Sequence, residues 1–204
     1  MKRPYLIIAA LLYLGFSNES AAHTPKEGDI RATAGPYFYR TRSSQTDLVK
    51  NSPYLGAGLV AEGDVDYNGG VEIAILTQDK LYIAHEGDDT LAERITRLHI
   101  TTGYRHWVTS FLSLGLAFYS SYSMGDAKVI LDDRPSGQGL ETSAREITEY
   151  GLDLSAQWEV ITIHDVAIVV DGRYSLSVTR KIHENADLYG FLIGLKYLLP
   201  KQPG

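Results

Sequence analysis

Acyl or ester chemistry by a side-chain nucleophile needs a hydroxyl, a His to take its proton and a carboxylate to orient that His. In this 204-residue chain the residues that could fill those roles are His99, Ser121 and Glu72, with His85 and His183 as further histidines. Their spacing gives little support to such a site. His99 is followed by Ile100-Thr101, and no compact His-x-Ser arrangement is present. The histidines are scattered and there is no Cys, so neither a metal site nor a disulfide stands out. No catalytic residue, cofactor or metal is expected.

The chemistry that does repeat is charge placed at every second position. In residues 149–160, Tyr150, Leu152, Leu154, Ala156, Trp158 and Val160 form one set, and Glu149, Gly151, Asp153, Ser155, Gln157 and Glu159 the other. Successive side chains of a strand point to opposite faces, so this is a strand with one apolar and one polar face. The same pattern recurs in residues 54–66, 71–83, 112–122, 166–176 and 189–197, and around His99. Residues 30–41 form the first strand, with Pro36 interrupting its donors and its faces ambiguous. A bulge is expected at 77–80, where the alternation in 71–83 weakens. The connections alternate between short turns, such as Asn68-Gly69, and long polar loops, of which 123–145 is the longest. That rhythm predicts an all-β, eight-stranded antiparallel up-and-down transmembrane β-barrel with its long loops on one side.

Which face looks outward follows from residue size. The polar set is rich in Gly, Ala and Ser, which fit the inside of a narrow barrel, and the long apolar side chains suit lipid. The expected interior charge network is Glu62, Glu72, Arg97, Arg105, Glu149, Asp153, Asp171, Arg173 and Lys196. Asp64 and Glu159 also fall on that face, so acids outnumber bases. If 149–160 and 166–176 pair across a turn at 161–165, Asp153 lies opposite Asp171 or Arg173, and an Asp153–Arg173 ion pair is expected. Tyr122, Tyr150, Tyr174 and Tyr189 are expected at the rim of the long loops, and Trp158 and Tyr197 at the other rim. Tyr150 and Trp158 are then separated by roughly 20 Å along the membrane normal, which suits an apolar band of ~25 Å.

The address agrees with this reading. Met1-Lys2-Arg3, an apolar run over 5–16 and Ser20-Ala21-Ala22 read as a signal peptide of residues 1–22, leaving 23–204 as the barrel domain. The net charge of −6 and the lack of a basic stripe argue against nucleic acid.

Laid out as strands, the chain resembles the outer-membrane β-barrel domain superfamily. It is closest in kind to the eight-stranded barrels that include the transmembrane domain of outer-membrane protein A and small adhesin-like barrels. The resemblance is carried by Leu114–Ser123 as a pattern, by the stretch EYGLDLSAQW and by YGFLIGLKYLL over 189–199. It implies the outer membrane of a Gram-negative bacterium. Such barrels end on an aromatic residue read by the barrel-assembly machinery; here Tyr197 would serve as an internal version. The expected partners are outer-membrane lipids, lipopolysaccharide and that machinery, and the chain is expected to be a monomer. The function expected is that of a non-enzymatic barrel whose outer loops interact or shield. The alternatives are a lipid A-modifying enzyme and a narrow gated channel.

Overall fold

The computed structural model describes residues 25–42, 53–134, 139–181 and 184–199. The expected signal segment 1–22, most of the first long loop and His183 lie outside the described residues. Ten strands follow one another: β1 (Ile30–Thr41), β2 (Tyr54–Asp64), β3 (Gly69–Glu86), β4 (Asp89–Trp107), β5 (Leu112–Ser123), β6 (Lys128–Asp133), β7 (Thr148–Ile163), β8 (Val166–Ser177), β9 (Glu184–Asn185) and β10 (Leu188–Leu199). Eight of them form a ring in the order β4, β5, β7, β8, β10, β1, β2, β3, and pairing of β3 with β4 closes it. All these pairings are antiparallel. Closure leaves the barrel body with no free edge, which is how a sheet can satisfy its backbone in lipid.

Alternation sorts the faces throughout the ring. Leu55, Leu59, Val71, Ile73, Leu114, Leu116, Phe118, Leu154, Ile168, Phe191 and Leu195 are exposed on the outside. Glu62, Glu72, Arg105, Asp153, Asp171, Arg173 and Lys196 are buried within. The faces of β1 are settled too. Arg31, Thr33, Tyr37, Tyr39 and Thr41 point inward, and Pro36 sits on an exposed outward position.

The expected bulge at 77–80 is not present: β3 pairs with β4 without a register shift from Gly69↔His106 to Glu86↔Asp89. The alternation weakens there for another reason. The hairpin β3–β4 rises past the barrel body, and beyond that height both of its faces are covered. Leu81, Tyr82, Ile83 and Ala84 on β3, and Leu91 and Ala92 on β4, are all buried. The 123–145 loop is not wholly irregular either. It contains β6, which pairs with β4, and a 3-10 turn, Ser143–Arg145. On the other side of the hairpin β9 pairs with β3.

The seam between β2 and β3 changes character at the same height. Their ladder ends at Gly58↔Leu76. Above it Thr77 Oγ1 accepts from Ala57 N at 3.0 Å, Tyr39 Oη accepts from Asp79 N at 2.5 Å and Thr41 Oγ1 accepts from Leu81 N at 3.1 Å. Tyr39 and Thr41 belong to the inner face of β1, so β3 leans inward over the mouth, and hydroxyls replace the backbone ladder that β2 no longer supplies.

At the opposite end the turns are short. Residues 65–68 are closed by bonds from Val65 N and Asp66 N to Gly69 O. Asp66 accepts from Asn68 N at 2.7 Å and from Tyr104 Oη at 2.9 Å, and these bonds, the backbone one first, hold its carboxyl below the usual range. The turn expected at 161–165 is shorter: Ile163 pairs with Val166, and a bulge between Glu159 and Ile161 shifts the register.

Candidate functional site

The interior is a stack of hydrogen-bonded charges. Nearest the short turns, Arg31 meets Asp64 at 2.5 Å and Asp29 at 3.5 Å. Next, Lys196 Nζ lies 2.5 Å from Glu62, 3.1 Å from Glu159 and 2.7 Å from Gln157 Oε1, and 4.7 Å from the centre of the Trp107 ring. Trp107, near the end of β4, therefore points inward and is buried.

At mid-height two guanidiniums share the carboxylates. Arg105 donates to Glu72 through Nε at 2.5 Å, to Ser113 and Ser155, and to Asp171 at 3.4 Å. Arg173 donates to Asp171 at 2.7 Å, to Glu72 at 2.7 Å and to Asp153 at 3.4 Å. Asp153 is in register with Ser175, not with Asp171 or Arg173, because the hairpin turn is shorter and the strand bulges. Arg173 reaches it from the diagonal position, within the span of a long side chain.

Above them Glu149 accepts from Lys80 Nζ at 2.5 Å, from Tyr119 Oη at 2.5 Å and from Tyr82 Oη. Arg97 is buried as expected of an inward residue, but its bonds run to backbone carbonyls: Ser121 and Ser143 at 3.0 Å and Glu146 at 2.9 Å. Two cations, Arg31 and Lys80, were missed by the sequence reading, the first because the faces of β1 were ambiguous and the second because of the supposed bulge. With them the inward acids and bases nearly balance, which a low-dielectric interior requires.

These bonds cross the barrel. Gln157 on β7 donates to Glu62 on β2 at 2.8 Å, and Arg173 on β8 donates to Glu72 on β3 at 2.7 Å. In the ring order β7 and β2, and likewise β8 and β3, are four strands apart, so side chains from diametrically opposed walls touch. That leaves no straight aqueous bore, as the width of an eight-stranded barrel dictates.

The mouth is closed by the 3-10 turn. Glu93 accepts from Thr142 Oγ1 at 2.6 Å and from Arg145 at 2.9 Å, and Glu184 accepts from Ser143 N at 2.8 Å and Lys181 N at 3.2 Å. Outside this plug, Arg134 donates to both oxygens of Asp132 at 2.6 Å and lowers that carboxyl's pKa.

The hydroxyl, imidazole and carboxylate weighed for catalysis are all buried in the lumen. His99 and Ser121 are cross-strand neighbours. The ring nitrogens are engaged elsewhere, Nδ1 with Gln78 at 3.3 Å and Nε2 with Asp153 at 3.4 Å, and the ring packs on Tyr119. Ser121 Oγ has no hydrogen-bond partner among the described residues, and Glu72 bonds the two arginines, not His99. His85 bonds Thr90 outside the barrel body.

All six expected rim aromatics face outward. Tyr122, Tyr150, Tyr189 and Tyr197 are exposed, and Trp158 and Tyr174 half-buried. Tyr189 is in register with Tyr174 at the long-loop end, and Trp158 with Leu112 and Tyr197 with Ala32 at the other.

No protein-family model matches the chain, and no curated protein sequence is significantly similar to it. Solved structures are similar in fold. The outer membrane protein OprG of Pseudomonas aeruginosa aligns with a TM-score of 0.55 at 13% identity, covering 88% of this chain and 99% of that one. This is the fold of the eight-stranded outer-membrane β-barrels. Ail, the attachment invasion locus protein of Yersinia pestis, solved with the heparin analogue sucrose octasulfate, aligns at 0.53 and 13% identity, covering 85% of this chain and 100% of that one. At such identity the barrel fold is shared, and the chemistry of the loops and lumen is this chain's own.

Proposed function

We propose that the protein is a non-enzymatic, monomeric barrel of the Gram-negative outer membrane whose lumen is a packed strut and whose working surface is the outer structure. That surface consists of the β3–β4 hairpin, β6, β9 and the turn over the mouth. The observation that carries the reading is the direct bonding of opposed walls, Gln157 to Glu62 and Arg173 to Glu72. A filled lumen supports the strut over a channel. Engagement of both His99 nitrogens away from Ser121 supports it over an acyl-transfer enzyme.

Three measurements test the reading. The mature chain should partition with the outer membrane and run with heat-modifiable gel mobility. Planar bilayers containing it should show no unitary conductance, and lipid A from cells with and without it should have the same mass. Steady single-channel currents would replace the strut with a channel, and a mass change in lipid A that depends on His99 would replace it with an enzyme.

A further inference from the structure

The outward residues of β1 read Ile30, Ala32, Ala34, Pro36, Phe38 and then Arg40. Arg40 is in register with Tyr189 on β10, and Tyr189 with Tyr174 on β8, so a guanidinium stands in the upper aromatic row. One residue pair below, the rings of Phe38 and Phe191 stack with centroids 5.2 Å apart at the edge of the apolar band. Among the described residues Arg40 has no hydrogen bond, ion pair or ring contact, and no neighbouring carboxylate neutralises it. Two more guanidiniums flank it. Arg42 reaches across β10 to donate to Tyr174 Oη at 2.9 Å, and Arg180 lies 3.6 Å from Asp187. Asp187 is largely buried; it also accepts from Tyr174 Oη at 3.2 Å and from Ser177 N at 3.3 Å. Among the described residues, three cations against one enclosed acid leave this arc positive. On the opposite arc the outward rim positions Thr77, Asp79, Thr96, Tyr122 and Tyr150 carry no base, and Arg94, the next outward residue of β4 above Thr96, lies over the Tyr54 ring at 4.8 Å.

We propose that Arg40, with Arg42 and Arg180, binds the phosphate of an anionic lipid headgroup in the leaflet surrounding the long-loop end of the barrel. Guanidinium is the side chain suited to paired bonds with phosphate oxygens, and the Tyr189 hydroxyl beside it adds a donor, while the Tyr174 hydroxyl, which gives its proton to Asp187, holds Arg42 in place. A free phosphate ion would satisfy the same charges. The lipid is favoured because Arg40 opens on the outer wall directly above the Phe38–Phe191 pair, which gives the acyl chain beneath a headgroup an apolar surface to lie on. The inference rests on the membrane-barrel reading above.

The test is lipid retention. The full chain is reconstituted into phosphatidylcholine bilayers containing a minor fraction of doubly phosphorylated lipid A, extracted mildly and weighed intact by mass spectrometry. The wild type should keep lipid A, and Arg40→Ala should lower the retained fraction about tenfold, equivalent to about 1.4 kcal/mol. Arg40→Lys should fall between them, Arg40→Ala/Arg42→Ala/Arg180→Ala should keep almost none, and Lys128→Ala, on β6 beside β4 and so on the opposite arc, should match the wild type. Equal retention by wild type and Arg40→Ala, or equal retention of lipid A stripped of its phosphates, would overturn the site. Displacement by excess inorganic phosphate would overturn the lipid assignment. Heat-modifiable mobility of each sample separates this outcome from failure of the membrane-barrel reading, in which the chain would not insert at all.

Discussion

The lower and upper halves of β3 are one continuous strand in two different surroundings. From Gly70 to Leu76 its neighbours on both sides are backbone ladders, its odd residues meet the outer apolar band, and Glu72 points into the charge stack. From Thr77 onward β2 has parted from it and hydroxyls of Thr77, Tyr39 and Thr41 supply the missing bonds, and from Lys80 to Ala84 both faces are covered. The lower half is held by a closed ring that cannot lose one strand without exposing backbone to lipid. The upper half keeps its ladder with β4, but on the side that β2 has left it is held by individual side chains that can be removed one at a time. Stability should therefore be global below Leu76 and local above it.

The largest contrast comes from deleting one cation in each half. Arg173→Ala leaves Asp171, Asp153 and Glu72 without their shared donor in a dry interior, and should cost about 3–5 kcal/mol, as other broken buried pairs do. Arg145→Ala removes a partner of Glu93 from an arginine whose side chain is 54% exposed, and should leave the barrel's unfolding midpoint unchanged. Urea titration in lipid vesicles, read by gel mobility, measures both. Equal losses would mean that plug and ring unfold together.

Next in size is a test of the faces themselves. Leu154, exposed midway between Tyr150 and Trp158, should tolerate Arg at a cost of about 2–4 kcal/mol if it meets the centre of the bilayer. Ser155, the next residue, points inward to Arg105, and Ser155→Ala should cost only about 1 kcal/mol for its lost bond. A milder effect for Leu154→Arg than for Ser155→Ala in the same vesicles would place the outer face of β7 in water.

The difference between the halves also explains what could be read in the sequence. In the body the two faces of each strand meet opposite surroundings, so residues such as Asp153 beside Leu152 and Leu154 declare their directions. The ring, its faces, the inward charges and the rim aromatics all follow. Beyond Lys80 the contrast of surroundings disappears: Leu81, Tyr82, Ile83 and Ala84 are all buried, and a period of two carries no signal. Lys80 went unnoticed because both faces of residues 77–80 are polar, which read as a bulge, and β6 and the 3-10 turn because their positions depend on partners distant in sequence, β4 with Glu93 and Glu184. Register was legible only approximately. A one-residue bulge between Glu159 and Ile161 leaves no mark in composition, yet it sets which residue faces Asp153.

A third comparison lies within the upper half. Glu93→Gln and Glu184→Gln weaken the seating of the 3-10 turn from its two sides. Each should raise the rate of tryptic cleavage after Arg145 by about tenfold, the equivalent of about 1.4 kcal/mol of local stability, with the barrel's heat-modifiable mobility retained. Loss of that mobility would show that the plug supports the ring.

The smallest effect addresses the hydroxyl seam. Thr41→Val and Tyr39→Phe keep shape and remove one acceptor each, leaving Leu81 N and Asp79 N without partners at a position where β2 no longer reaches. Each should cost about 1 kcal/mol, because an amide deprived of its acceptor loses a bond that water replaces only if the strand opens. The opening is local, so the cost should appear as faster hydrogen exchange at Asp79 and Leu81, with Ala74 and Leu76, inside the regular ladder, unchanged. If the double variant instead speeds exchange down to Ala74, the seam and the ladder form one cooperative unit, and the boundary at Gly58↔Leu76 is geometric without being energetic.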